Sequence, residues 1–227
     1  NQQCMAGKFP KLTEIKLGYS RDGFHWHRPD RRAFIEATRK EGDWDRAYLH
    51  GTTGVFLVMG DELWFPYNGY SGIAADGTKG MYTGASIGIA TLRRDGFASM
   101  EAGQKTGHLV TRPLTFNGKY FFVNVDCPEG ELLVEALDGD GNVISPFSLK
   151  KCKSVKVDKT LHQIEWEGQP DLSSLAGQPV RFRFHLTNGK LYSFWVSPDL
   201  NGASYGYLAA GSPDHEGVID TKGRNTR

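Results

Sequence analysis

Ile15-Lys-Leu-Gly-Tyr-Ser-Arg-Asp-Gly-Phe-His-Trp-His-Arg-Pro29 is the stretch from which the fold reads. Ile15, Leu17 and Tyr19 alternate with polar or small residues, and the alternation breaks at Arg21-Asp22-Gly23. It resumes at Phe24 and Trp26. A period of two, interrupted by Asp-Gly, predicts a β-hairpin. Asp and Ser side chains can bond the turn's own amides, Gly supplies a positive φ, and the Trp packs under the turn. The same arrangement returns at Arg93-Arg94-Asp95-Gly96-Phe97, where the strand 86–92 runs into Arg-Asp-Gly-Phe. Between the two, Val55, Leu57 and Met59 alternate, Gly60-Asp61-Glu62 turns, and Leu63, Phe65 and Tyr67 alternate again. Pro66 suggests an edge or bulged strand. Residues 31–42 are charged and weakly periodic and admit either a short helix or a surface loop. Residues 69–84 are rich in Gly, Ser, Ala and Asp and read as a long loop.

The pattern changes after residue 97. Segments 107–116, 119–126, 131–137, 142–147, 153–157, 161–166, 180–187 and 190–197 read as short strands. They are punctuated by Asn117-Gly118, Pro128-Glu129-Gly130, Asp138-Gly139-Asp140-Gly141 and Asn188-Gly189. Such spacing indicates a β-sandwich of jelly-roll type. Leu172 to Leu175 reads as a single helical turn, and the poorly apolar residues beyond 210 as a loose tail. The expected organisation is all-β. A partial propeller over 1–97 precedes a sandwich over 98–210 and a C-terminal tail over 211–227. Propeller blades take about 40–50 residues and at least four are needed. The first segment holds about two, so the remaining blades are expected upstream of Asn1 or on a partner chain. The start Asn1-Gln2-Gln3-Cys4 reads as mature, trimmed or fragmentary.

Composition agrees with short strands and tight loops. Glycine is 28 of 227 residues and aromatics are 12%, above the usual glycine share of about 7%. Lys and Arg total 27 against 26 Asp and Glu. Without a block of like charge, neither nucleic acid nor an anionic membrane surface is expected as the main partner. There is no apolar run of the roughly 18 residues that a spanning helix needs. Cys4, Cys127 and Cys152 make an odd set with no zinc spacing. Cys127 and Cys152 either pair or remain buried thiols.

The turn Tyr19-Ser-Arg-Asp-Gly-Phe-His-Trp26 is similar to the Ser-x-Asp-Gly-x-x-Trp turns of five-bladed propeller glycosidases. That clan contains glycoside hydrolase families 32, 43 and 68. The turn also resembles the Asp-box of sialidases. A longer resemblance, to family-32-like proteins, rests on Gly88 to Ser99 (Gly-Ile-Ala-Thr-Leu-Arg-Arg-Asp-Gly-Phe-Ala-Ser). It continues through Thr111-Arg-Pro-Leu-Thr-Phe116, Gly130 to Asp138, Leu175 to Leu186 and Leu191-Tyr-Ser-Phe194. The resemblance implies the last blades and appended sandwich of a secreted or periplasmic glycosidase acting on an oligo- or polysaccharide. The family's Asn-Asp-Pro, Arg-Asp-Pro and Glu-Cys motifs are missing. Asp126-Cys127-Pro128 only approximates the third and lies in the sandwich, so the cleaving carboxylates are expected in other blades.

Within this chain, Asp43-Trp44-Asp45-Arg46 is the candidate rim of a sugar subsite. Trp44 would stack on a pyranose face while Asp43 and Arg46 bond hydroxyls; Tyr48 and His50 follow on the next strand as pocket candidates. The opposing expectation is a solvated loop anchored by a buried Trp. No catalytic residue is assigned, and no metal or cofactor is called for. Asp138-Gly-Asp140-Gly-Asn142 begins like a calcium loop but lacks the downstream acid, so a hairpin turn is expected. Trp166 and Trp195 read as core rather than as platforms. Ser20, Ser99 and Ser193 lack a nucleophile-elbow context. The alternative to an enzyme portion is a non-catalytic glycan-binding or structural module.

Overall fold

The computed structural model describes residues 11–52 and 56–223. The chain is all-β, with several antiparallel sheets and none closed into a barrel. Two compact units divide it. The first takes residues up to Leu57 together with Trp64–Thr91; the second takes Val58–Leu63 together with Leu92 onward.

The first unit opens on a hairpin, β1 (Tyr19–Ser20) with β2 (Trp26–His27). Its turn is the one expected. Asp22 Oδ1 accepts the amides of Phe24 (2.9 Å) and His25 (2.8 Å). Ser20 Oγ accepts the Gly23 amide at 2.9 Å, Gly23 has φ +77°, and the Trp26 indole donates to Gly23 O at 3.2 Å. The second Arg-Asp-Gly turn is built differently. There Asp95 holds the positive φ (+55°), and the Gly96 amide donates to Arg93 O at 2.9 Å. A Cβ on Gly96 would meet that carbonyl at 2.7 Å, so this glycine serves a close approach. The two matching motifs therefore encode two different turns.

A four-stranded sheet follows, from β3 (Tyr48–Gly51), β4 (Leu57–Met59), β5 (Glu62–Tyr70) and β6 (Ala85–Arg93). Its order is β3-β5-β4, with β6 also on β5. Pro66 therefore lies in a strand paired on both flanks, not at an edge. Its carbonyl accepts the Thr52 amide at 3.3 Å. Val55 and Cys4 lie outside the described residues. Residues 31–42 form a loop with no helix, tied in where Ile15 and Ile35 exchange backbone bonds at 3.1 and 3.2 Å. Leu49, Tyr67 and Ala37 form the small core, with Ile15, Ile35, Trp44 and Ala90 against it.

The second unit is a sandwich of two sheets. It is built from β7 (Met100–Ala102), β8 (Gly107–Val110), β9 (Tyr120–Asp126), β10 (Glu131–Leu137), β11 (Asp158–Ile164), β12 (Arg181–Thr187) and β13 (Gly189–Ser197). The sheet orders are β10-β12-β8 and β11-β9-β13-β7. Alternate residues of β10 and β12 (Leu132, Val134 and Ala136; Phe182, Phe184 and Leu186) meet Phe121, Val123 and Val125 of β9 in the core. Phe121 packs on Phe182 at 4.5 Å and stacks on Phe194 at 5.7 Å. Phe122, on the other face of β9, stacks on Trp195. Trp166 is core, its indole donating to Val134 O at 2.9 Å.

Two expected strands are absent. Ser145–Phe147 is a 3₁₀ turn begun at Pro146, which supplies no amide to a ladder. Residues 153–157 contribute a single bridge, Val155 to Leu132. Asp138 to Asn142 is a hairpin turn in which Asp138 Oδ1 accepts the amides of Asp140 and Asn142. Ser173–Leu175 is the expected helical turn. Cys127 and Cys152 are free and buried.

Residues 198–223, read from sequence as partly a loose tail, are held to the sandwich. Gly202 packs on Leu161 and Phe122, and Ala203 and Leu208 are buried. The Asp220 carboxylate pairs with Arg94 at 3.2 Å.

Candidate functional site

Strand β3 decides where the candidate residues go, because successive side chains of a strand face opposite sides of its sheet. Tyr48 pairs with Tyr70, Leu49 with Gly69 and His50 with Asn68. Leu49, Gly69 and Tyr67 thus share the inward face, and Tyr48, His50 and Tyr70 the other.

Trp44 belongs to the inward face. Its ring lies 5.2 Å from that of Tyr67 and covers two glycines, Gly69 of β5 and Gly88 of β6. Added Cβ atoms there would stand 2.5 and 2.4 Å from the indole. Gly88, between Ile87 and Ile89 of β6, is the slot for Trp44. Next to it, Tyr67 donates to Asp45 at 3.0 Å. Burial and this bond to a carboxylate push the Tyr67 phenol up to about 12. Arg46 is buried. Asp43 is half-exposed in a turn, its amide on Lys40 O. The run Asp43 to Arg46 is therefore mostly packing around one tryptophan.

The outward face gathers rings. Tyr48 makes edge contacts with His50 (5.8 Å), Tyr70 (5.8 Å) and Tyr82 (5.4 Å). His50 stacks on Tyr70 at 5.6 Å, and Tyr70 meets Tyr82 at 5.6 Å. Lys11 Nζ stands 5.3 Å from the Tyr48 centroid, within cation–π range. Tyr82 is 59% exposed, so the cluster opens to solvent. The neighbouring Tyr48 side chain raises the Tyr82 phenol. His50 Nδ1 lies 3.2 Å from Gly51 O. A carbonyl only accepts, so Nδ1 carries the hydrogen in that bond.

Of the five residues singled out from sequence, the fold brings Tyr48 and His50 together and puts Trp44 on the other side of the sheet. Tyr70 and Tyr82 were missed. Tyr70 stands opposite Tyr48 through the pairing of β3 with β5, two strands separated in sequence by β4. Tyr82 lies in the glycine-rich loop, and no periodicity marks it.

The perturbed acids of this unit are lowered by local hydrogen bonds and charges. Arg39 holds Glu14 low, and the amide and side chain of His25 lower Asp22. Arg32 holds Asp30 at about 2, and Asp76 is lowered by Thr78. No group of three or more metal-ligating side chains is gathered among the described residues. No family model, curated protein or solved structure matches the chain.

Proposed function

We propose that this chain is the carbohydrate-contacting, non-cleaving portion of a sugar-active protein, a glycoside hydrolase of the five-bladed propeller type whose cleaving carboxylates come from elsewhere. The observation that carries the reading is the solvent-open cluster of Tyr48, His50, Tyr70 and Tyr82. Ring faces stack on the C–H face of a sugar, while the phenol hydroxyls, the imidazole and Lys11 bond its hydroxyls. The Asp22 hairpin and the four-stranded sheet beside it support the propeller resemblance, and the sandwich supports the appended module.

A second reading is a glycan-binding module of a non-enzymatic protein, for which the same ring cluster would serve as the whole site. Both readings predict retention of the chain on a glycan array, with retention reduced in Tyr82→Ala. They part on hydrolysis when the chain is combined with the propeller blades that the first reading requires. Silence on the array would overturn both; release of reducing ends by the 227-residue chain alone would overturn the non-cleaving assignment.

A further inference from the structure

The second unit holds a cleft of about 350 Å³ where β9 begins and β11 ends. Small-ligand sites run from roughly 300 to 1,000 Å³, so it can accept a compact ligand. One wall is Lys119 and Tyr120 with Asp171; the other is Gln163 and the turn Trp166–Gln169. Backbone bonds pin both walls. The Leu172 amide donates to Lys119 O at 2.7 Å and the Glu167 amide to Lys151 O at 2.8 Å. The turn is closed by the Gln169 amide on Trp166 O at 3.1 Å, with Gly168 at φ +77°. The floor is buried apolar core: Phe121, Ile164, Trp166 and Leu172. The cleft is thus formed before a ligand arrives, and little ordering is paid at binding.

Its chemistry selects the ligand class. Among the described residues, the Tyr120 hydroxyl and the side chains of Gln163, Glu167 and Gln169 make no hydrogen bond within the chain. Lys153 and Glu165 neutralise each other at 2.8 Å. The lining holds Lys119 and Lys153 with Glu165, Glu167 and Asp171, a net negative set that disfavours an anionic ligand. The rim of amides, carboxylates and one phenol disfavours a wholly apolar one. What remains is a ligand whose adjacent groups each donate and accept, as vicinal hydroxyls do between an amide and a carboxylate. We propose that this cleft binds a short neutral saccharide, at a site built wholly from the sandwich.

The test is an amide chemical-shift titration of the full chain with maltotriose, cellotriose, xylotriose and kestose, and with trigalacturonate as the anionic probe. At least one neutral trisaccharide is expected to shift Tyr120, Gly168 and Gln169. Its affinity should fall at least tenfold in Glu167→Ala/Gln169→Ala, two surface substitutions whose unperturbed spectra elsewhere report intact folding. The same shifts should persist in Tyr82→Ala, which separates this cleft from the ring cluster of the first unit. Shifts confined to Tyr48, Tyr70 and Tyr82, no shifts with any neutral probe, or trigalacturonate moving the cleft as strongly as the neutral sugars would each overturn the proposal.

Discussion

Arg94 and Asp220 are 5% and 2% exposed, and they form a buried ion pair in the second unit. Burial pushes the Asp220 carboxyl up. Hydrogen bonds from Ser204, the Arg94 charge and a bond to His215 outweigh it, and its pKa ends below the usual carboxylate value. A lowered folded pKa gives stability above the unfolded value of about 3.9 and loses it as pH falls through the folded one. Arg94→Ala, which leaves the carboxylate buried without its partner, is expected to cost about 3–5 kcal/mol. Asp220→Asn should flatten the acid limb of the stability curve; denaturant unfolding from pH 7 down to pH 2 checks both. The cysteines give a second residue-scale expectation. Burial raises the Cys127 thiol and pushes Cys152 up to about 11. Thiolate is the reactive form, so iodoacetamide near neutral pH should leave both unmodified in the native protein and alkylate both after unfolding, as peptide mass mapping would show.

At the scale of elements, Trp44 with Gly69 and Gly88 is the joint of the first unit. Gly88→Ala would place a methyl 2.4 Å from the indole and is expected to destabilise that unit by roughly 1–3 kcal/mol, the range for overpacking. In a Trp44→Ala background the same substitution should cost less than about 0.5 kcal/mol, since the colliding ring is gone. Hydrogen exchange of the β5 and β6 amides reads both. The joint also shows what sequence made legible. Strand periodicity and the Asp-Gly turn found the first hairpin, β5 and most sandwich strands, because each is fixed by neighbours in the chain. The second Arg-Asp-Gly-Phe is a turn, as its sequence reads, but one of another construction. There Arg93 donates to Asn124 at 2.7 Å and to Val125 O at 3.0 Å, and these partners distant in sequence hold the arginine that leads into the turn. Ser145–Phe147 failed as a strand for a local reason, Pro146, which the alternation outweighed in reading.

For the whole molecule, fold class was legible and the site only half so. Tyr48 and His50 were visible as strand residues; their union with Tyr70 needs the register, and with Tyr82 the path of a loop. Trp44 looked like a sugar platform because acids flank it, and three-dimensional packing assigns it to the opposite face. The central claim is that the four-ring cluster binds carbohydrate. Its most direct measurement is the affinity of the chain for its best array glycan, by calorimetry, in wild type and in Tyr48→Ala/Tyr82→Ala. The rings would contribute through stacking, and an aromatic contact is worth about 0.5–1.5 kcal/mol beyond its area. Loss of two rings should therefore weaken binding at least tenfold while the fold, followed by far-UV circular dichroism, is kept. Unchanged affinity in the folded double variant would contradict the account.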